Sequence, residues 1–402
     1  MMNIMLRSPV LQLRDFRMLL AATFFESMAR GENVVLGWVV LELTDSPFMV
    51  GVAMAIRHAP GFFLGITGGA VADLVDRRRL MRTLIALFAI VTLVMGLLLV
   101  SGKAQLWQLL IIPAAAGAAH MMLNTTKQSL VFDLVGHEHG LNGMSLVGLS
   151  VRCGGLAGSL AVGFALSAWG PGAGYFVITG GCCIAFIIVG MIQSSGQNAP
   201  SGSGNILTGL SEFWKELVRN HTVAALVVIV MLVELCGFTP NVLMPSIARD
   251  VWDLGPEGLG ILNAFSAAGG IIAIALLSFV GNIRYQGIAF IVVLHVFGIA
   301  IMLLGFAPSV YIAIVAIVVL SGMMALSDLF SQTLMQRLVP NDLRGRIMGA
   351  WATAIGISPV GNLEIGALAS LLGITMALTF HGGALLLLAV VILATFGKLK
   401  RI

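Results

Sequence analysis

The stretch GGAVADLVDRRR, from Gly68 to Arg79, ends an apolar run with two aspartates and three arginines. So much charge at one point stands out, because only 10% of the 402 residues are charged and 58% are hydrophobic. Soluble proteins carry about a quarter charged residues and could not bury this much apolar surface. We therefore expect lipid to be the solvent for most of the chain, and this stretch to be a point where the chain turns at the membrane surface.

Long, continuous apolar runs recur along the sequence and determine the fold class. Only helices and closed barrels satisfy the backbone inside hydrocarbon, and a helix needs about 20 apolar residues to cross it. The runs do not alternate as barrel strands do, so they predict an all-α membrane protein with twelve transmembrane helices. In chain order, spans one to twelve are predicted at residues 17–43, 48–72, 80–101, 105–131, 141–168, 172–194, 221–248, 257–281, 285–306, 309–336, 344–371 and 374–397.

The spans divide into two similar halves. QSLVFDLVGHEHGLNGM, from Gln128, and QTLMQRLVPNDLRGRIM, from Gln332, share Gln, Leu, a Leu-Val pair and Met in register. The sequence thus predicts two pseudo-symmetric six-helix bundles, residues 1–194 and 220–402, joined by a linker at 195–219. Such parallel repeats place a binding site between the halves, near the bilayer midplane.

Basic residues collect on one side of the predicted membrane. Lysines and arginines favour cytoplasmic loops, and the loops on the opposite side hold only Lys103 and Arg249. Both termini and the linker are therefore expected in the cytoplasm, in a multi-pass protein of the inner (plasma) membrane. The basic residues behind the net charge of +4 flank the spans, so we expect the lipid bilayer as a partner and no nucleic acid.

The opening stretch resembles the loop 2–3 signature of the major facilitator superfamily, in which a glycine and an aspartate precede a basic pair. The matching residues are Gly69, Asp73, Arg77 and Arg78. Asp76 stands where the family usually has a small residue. A second stretch, VPNDLRGRIMGAWATAIGISPVGNLEIGALASLLG at 339–373, resembles the subgroup that includes the enterobactin exporter and macrolide efflux proteins. The resemblance implies the twelve-helix transporter fold and points toward efflux.

The charges of the opening stretch have two interpretations. Basic residues hold a loop in the cytoplasm, and this alone would explain Arg78. Asp73 gains nothing from that rule, and the resemblance implies that it contacts the start of span eleven when the cytoplasmic side is closed. Asp133, at the cytoplasmic end of span four, is the expected partner of Arg77. Together with Gly69, these residues form the predicted cytoplasmic gate.

Charged residues inside the spans are candidate functional residues, because an ionisable group at mid-helix costs about 2.5–3.5 kcal/mol. The candidate proton-carrying carboxylates are Glu26, Glu32, Glu234, Asp328 and Glu364. Glu26 and Glu32 are preferred, because an acid beside a glycine here resembles exporters that take up protons in span one. We expect Arg30, Arg57 or Arg152 to lower the pKa of the proton-carrying carboxylate. Arg57 and Arg152 are also expected to give the cavity positive charge. Alternatively, Glu26 and Arg30, spaced i, i+4, form only a structural ion pair.

Other functional classes find no support in the sequence. It contains no phosphate-binding loop, no paired Cys/His metal-ligand spacing, and no evident nucleophile with a base, so neither an enzyme nor a cofactor is expected. We expect a proton-coupled antiporter, a monomer that exports amphipathic small molecules by alternating access. The alternatives are an uptake symporter or lipid transporter of the same fold, or a membrane receptor or scaffold that does not transport.

Overall fold

The computed structural model describes residues 9–194, 221–280, 283, 285–337, 351 and 354–395. Within these ranges only the backbone is described at residues 9, 62–74, 137, 141, 221–223 and 395. All regular structure in the described ranges is helical. The prediction of an all-α fold is therefore confirmed.

Nine helices in the described ranges are long and apolar enough to cross a membrane. They contain 20 to 32 residues, which suits a bilayer that requires about 20. They correspond to spans three to ten and span twelve, with bounds Arg77–Val100, Leu106–Gly136, Glu138–Trp169, Pro171–Gly190, Ala224–Val251, Pro256–Val280, Gln286–Gly305, Val310–Arg337 and Ile374–Ala394.

Spans one, two and eleven account for the remaining long helical segments of the described chain. Span one consists of Arg14–Ser27 and Glu32–Thr44, separated by the 3-10 turn Met28–Gly31. Span two is the helix Pro47–Leu74. Span eleven is described as Ser358–Leu372, and most of the residues just before it lie outside the described ranges. These helices are consistent with the predicted count of twelve.

Span seven changes helix type along its length. The α-helix His221–Val233 is followed by the π-helical turn Glu234–Phe238 and the 3-10 turn Thr239–Leu243. Pro240 lacks an amide N–H, which removes one intrahelical hydrogen bond. Single π turns inside α-helices are frequent at functional sites, and this one begins with the intramembrane acid Glu234.

By packing, the chain divides into two compact units. The first contains Met1–Val39, Ile56–Ser203 and Pro256–Ala264. In it, span three packs against span six along a face where Gly96 has no side chain. A Cβ added at Gly96 would lie 2.7 Å from the ring of Phe176. Small residues of this kind let membrane helices approach closely.

The second unit contains Val40–Ala55, Gly204–Gly255 and Phe265–Ile402. In it, span nine packs against span twelve at Gly298, where an added Cβ would lie 2.7 Å from a carbonyl oxygen of span twelve. The predicted linker, 195–219, lies outside the described residues. The domain boundaries derived from the sequence stay a prediction.

Candidate functional site

Glu26 lies in the buried part of span one and is held by two residues of span four. The Lys127 ammonium group donates a hydrogen bond to its Oε2 at 2.8 Å, and His120 Nδ1 lies 3.4 Å from its Oε1. Only 2% of the Glu26 side chain and 3% of the Lys127 side chain are exposed. The charge of Glu26 is therefore compensated across two spans, as a buried charge requires.

The i, i+4 ion pair between Glu26 and Arg30 is not found among the described residues. The α-helix ends at Ser27, and Met28–Gly31 forms a 3-10 turn, which has three residues per turn instead of 3.6. Arg30 therefore leaves the helix face that Glu26 occupies. Lys127 takes the carboxylate instead, and no local sequence pattern relates positions so far apart.

Glu32 is buried just after the 3-10 turn and pairs with a residue of span two. Arg57 donates to Glu32 Oε2 from Nε at 3.0 Å and from Nη2 at 2.8 Å. His58 Nε2 lies 3.3 Å from Nη1 of Arg57. Two hydrogen bonds from one guanidinium fix the orientation of the carboxylate and also compensate its charge. Of the three cations suggested by the sequence, Arg57 is the one that pairs with Glu32.

Arg30 is an accessible charge between buried neighbours. It is exposed, whereas Ala29 and Gly31 are buried. Its aliphatic stem crosses span five at Gly155, where an added Cβ would lie 2.9 Å from Arg30 Cδ. Arg152 lies three residues before Gly155 and therefore on the same face of span five, and its charge acts on Arg30. The two arginines make this part of the first unit positively charged.

Glu234 and Asp328 have a different setting in the second unit. They line one small pocket together with Ser327, Ser331 and four apolar residues. The Ser358 hydroxyl donates a hydrogen bond to Glu234, and the charge of Asp328 acts on the same carboxylate. The described lining of this pocket contains no lysine or arginine. The two carboxylates therefore share an environment in which their negative charges repel each other.

Glu364 lies apart from this pair. Its side chain is 44% exposed, and its Oε2 lies 3.7 Å from Nε2 of the buried His381 in span twelve. A half-exposed carboxylate does not have to lose its hydration as a buried one does.

No metal site is found in the part of the chain that the structure describes. In these ranges, no group of three or more His, Cys, Asp or Glu side chains is arranged to hold a metal ion.

The loop between spans two and three is fixed to neighbouring spans by its arginines. Arg77 Nη1 donates to Asp133 Oδ2 at 2.7 Å, and only 9% and 3% of the two side chains are exposed. The structure therefore contains the ion pair expected from the sequence. Arg78 donates to the backbone carbonyl of Gly190, at the end of span six, at 2.7 Å.

The other signature residues lie at the end of span two. Gly69 and Asp73 belong to the helix Pro47–Leu74, but the Asp73 side chain lies outside the described residues, so its contact with span eleven stays a prediction. Asp76, which departs from the family pattern, caps span three. Its carboxylate accepts hydrogen bonds from the backbone amides of the next helix at 3.0 and 3.1 Å. An aspartate directly before a helix is a recognisable signal for such a cap.

Tyr175 of span six belongs to the surroundings of Glu32, and no sequence signal singles it out. It is 1% exposed, and its hydroxyl has no hydrogen-bond partner among the described residues. The charge of Glu32 acts on this hydroxyl. A tyrosine in an apolar run is most simply interpreted as a packing residue, so only the fold shows that it lies near the carboxylate.

Comparison with known sequences agrees with this architecture. The profile of the Major Facilitator Superfamily matches residues 19–361. The enterobactin exporters EntS of Shigella boydii serotype 18 (strain CDC 3083-94 / BS512) and of Escherichia coli O1:K1 / APEC are each 22% identical to the chain, over 390 and 389 residues. Both alignments cover 96% of this chain and 92% of the relative.

Solved structures share the fold at lower identity. A POT family transporter in complex with a thioalcohol conjugated peptide has a TM-score of 0.80 and 12% identity, covering 96% of this chain and 97% of that chain. The nucleoside transporter NupG has a TM-score of 0.73 and 13% identity, covering 96% and 99%. At such identity the likeness establishes the fold alone. Because the family profile spans most of the chain, this protein belongs to the major facilitator superfamily and is a multi-pass membrane transporter.

Proposed function

We propose that the chain is a proton-coupled exporter of amphipathic small molecules that works by alternating access in the inner membrane, with both termini in the cytoplasm. Relatives that are named enterobactin exporters support the direction of transport and a siderophore-like or drug-like substrate. The observation that carries the proton coupling is that intramembrane carboxylates occur in two electrostatic settings, one in each unit.

In the first setting, each carboxylate of span one has a cation as its partner. Lys127 lies 2.8 Å from Glu26, and Arg57 lies 2.8 Å from Glu32. A proton that binds either carboxylate must replace this cation. A change of conformation that separates such a pair would allow a proton to bind the carboxylate. Proton binding would then be coupled to the conformation of the transporter, as an antiporter requires.

In the second setting, two carboxylates share a pocket without a lysine or arginine in its described lining. Two negative charges in one small pocket inside the membrane repel each other more strongly than in water, because the local dielectric is lower. A proton bound to Glu234 or Asp328 removes this repulsion. The pair is therefore suited to hold a proton in the present conformation.

Inside-out membrane vesicles test the proposal directly. When the lumen of these vesicles is made acidic, a proton-coupled exporter should accumulate its substrate in the lumen. We expect accumulation of at least one amphipathic dye, abolished by nigericin and absent from vesicles without the chain. Accumulation that requires right-side-out vesicles would instead identify an uptake symporter, and the absence of any gradient-dependent movement across a broad panel would contradict transport coupled to protons.

The same vesicles test the orientation. A cysteine introduced in the predicted linker, by Ser201→Cys, should react with a membrane-impermeant thiol reagent in inside-out vesicles and stay unlabelled in intact cells. Labelling in intact cells would place the linker on the other side of the membrane and overturn the orientation.

A further inference from the structure

Arg30 is an accessible charge deep within span one. From Arg17, at the predicted start of the span, the helix rises about 20 Å to Arg30 at roughly 1.5 Å per residue, in a hydrocarbon core about 30 Å thick. A guanidinium that faces hydrocarbon at this depth is unfavourable. The exposed surface of Arg30 therefore borders water or a bound molecule.

Each acid of span one is paired with another cation, and only the charge of Glu26, without a direct contact, also acts on Arg30. Glu26 is paired with Lys127 and Glu32 with Arg57, each at 2.8 Å. Among the residues that the structure describes, no carboxylate oxygen lies within 4.0 Å of the Arg30 guanidinium. Both acids of span one thus have other partners, and Arg30 keeps an exposed positive charge.

Span five brings a second arginine to the same place. Its glycines let it approach span one closely, since a Cβ added at Gly154 would lie 2.9 Å from Ser27 Cβ. The stem of Arg30 lies across Gly155, and Arg152 is on the same helix face one turn earlier. The charges of these two guanidinium groups act on each other, and an anion bound beside them would be attracted by both.

We propose that Arg30, together with Arg152, binds the anionic group of the exported molecule. This inference rests on the proposed export and narrows its substrate class to amphipathic organic anions, in which a sulfonate, carboxylate or phenolate is attached to an apolar body. A guanidinium suits the task because it stays charged and presents a planar set of donors to anionic oxygens. The exposed surface of Arg30 leaves its guanidinium accessible to such a group.

Two dyes with the same aromatic skeleton separate charge from apolarity. 8-Anilinonaphthalene-1-sulfonate carries a sulfonate, and N-phenyl-1-naphthylamine does not. Binding to the full chain is measured in phosphatidylcholine nanodiscs, and partitioning into empty nanodiscs is subtracted. We expect saturable binding of the sulfonate dye that weakens about tenfold or more in Arg30→Gln and Arg152→Gln, as loss of a charge-assisted hydrogen bond implies. Arg30→Lys keeps the charge but loses the planar donor set, so its binding should be weaker than that of the wild type and stronger than that of Arg30→Gln.

The neutral dye and a distant arginine provide the controls. Arg79→Gln removes a charge whose side chain is 85% exposed at the start of span three, and it should bind both dyes as the wild type does. Binding of the neutral dye should be the same in every variant. Unchanged sulfonate binding in Arg30→Gln, equal loss of both dyes, or the absence of saturable sulfonate binding to the wild type would overturn the proposal.

A lipid headgroup is the competing source of an anion. If phosphatidylglycerol in the nanodiscs abolishes binding of the sulfonate dye to the wild type, the arginines bind lipid and the proposed substrate site is wrong. Retained binding supports it. This binding measurement requires no transport, so it tests the site separately from the proposed function. If the chain binds the sulfonate dye but exports nothing, only the proposed function is wrong. If the chain exports but its dye binding does not depend on the arginines, only the proposed site is wrong.

Discussion

Arg249 is hydrogen-bonded to Asp45, although the two residues are 204 positions apart in the sequence. Their Nη2 and Oδ1 atoms lie 2.5 Å apart, and Arg249 Nη1 donates to the Leu41 carbonyl at 3.1 Å. Nearby, the amide of Phe48 donates to Ser370 Oγ at 3.0 Å. These contacts join the connection between spans one and two to the ends of spans seven and eleven, on the side predicted to be extracellular.

We expect Arg249→Gln to weaken this junction, because a contact made in one conformation biases the balance between conformations. The pair is partly exposed, so it contributes about 1 kcal/mol or less, which corresponds to at most roughly a fivefold shift in populations. Spin labels at the exposed positions Leu43→Cys and Leu371→Cys, in a chain without its native cysteines, should show an additional longer distance in the variant.

Lys103→Gln is the matched control for this measurement, because Lys103 is the other basic residue of the predicted extracellular loops. It should leave the distance distribution as in the wild type. If Arg249→Gln also leaves it unchanged, the ion pair does not hold these ends together.

Arg77 and Asp133 form a buried ion pair at the opposite end of the spans. Removal of one partner takes this ion pair away from the other buried charge, and such a loss costs roughly 3–5 kcal/mol in fully buried pairs. We expect Arg77→Gln and Asp133→Asn each to lower the melting temperature in detergent and the export rate in inside-out vesicles. The double variant should be more stable than either single variant.

Arg78→Gln is the control, because Arg78 bonds a backbone carbonyl and no carboxylate. It should not interact with Asp133→Asn in the same double-variant comparison. Strictly additive losses for Arg77→Gln and Asp133→Asn would contradict a coupled pair.

Asp15 connects the start of span one to the residues after span six. Its Oδ2 accepts hydrogen bonds from the amides of Gln193 at 3.1 Å and Ser194 at 2.8 Å, and from the Ser194 hydroxyl at 2.7 Å. Partial burial opposes ionisation, but these hydrogen bonds outweigh it and hold the pKa of Asp15 below its usual value of 3.8. The folded chain therefore prefers the ionised form more strongly than the unfolded chain does.

This preference predicts a pH-dependent stability. The contribution of Asp15 is fully present above its usual pKa of 3.8 and is lost as the pH falls through the lower pKa of the folded state. Asp15→Asn should thus lower the melting temperature at neutral pH, and the gap to the wild type should narrow in acidic buffer below that value. Glu138→Gln, which replaces an exposed carboxylate, is the control and should not show this pH-dependent difference in melting temperature. If Asp15→Asn lowers the melting temperature equally at every pH, the hydrogen bonds of Asp15 do not cause the pH dependence.

The sequence was sufficient to predict the fold class, because a bilayer permits few solutions for long apolar runs. It also predicted the pair of Arg77 and Asp133, since opposite charges at the same predicted depth of neighbouring spans have few other partners. Both predictions depend on composition and depth, which a sequence records directly.

Partners inside the membrane depend on helix rotation and on local departures from the α-helix, and these were not predictable. The sequence suggested Arg30 as the partner of Glu26, but the 3-10 turn at Met28–Gly31 moves Arg30 away and Lys127 takes its place. In span seven, the π turn at Glu234–Phe238 likewise changes which face is occupied by the residues that follow the acid. A 3.6-residue repeat drawn on the sequence cannot anticipate either change.

Glu234 and Asp328 allow proton coupling to be separated from protein stability. Glu234→Gln and Asp328→Asn each remove the repulsion between two carboxylates that share one pocket. Of the two, Glu234→Gln should melt at the wild-type temperature or above. By contrast, Glu26→Gln leaves Lys127 without its carboxylate, and Glu32→Gln does the same to Arg57. These two variants should melt at lower temperature.

The same four variants identify the proton carrier. If the pair in the second unit carries the proton, Glu234→Gln or Asp328→Asn should still bind substrate but lose the accumulation driven by an acidic vesicle lumen. The reason is that a neutral amide cannot take up and release a proton. Glu364→Gln is the matched control, since Glu364 is half-exposed and lies against His381; it should retain accumulation. If both variants of the pair keep gradient-driven accumulation, the proton is carried by Glu26 or Glu32. In that case Glu26→Gln or Glu32→Gln must lose the accumulation, measured at a temperature at which these variants are still folded.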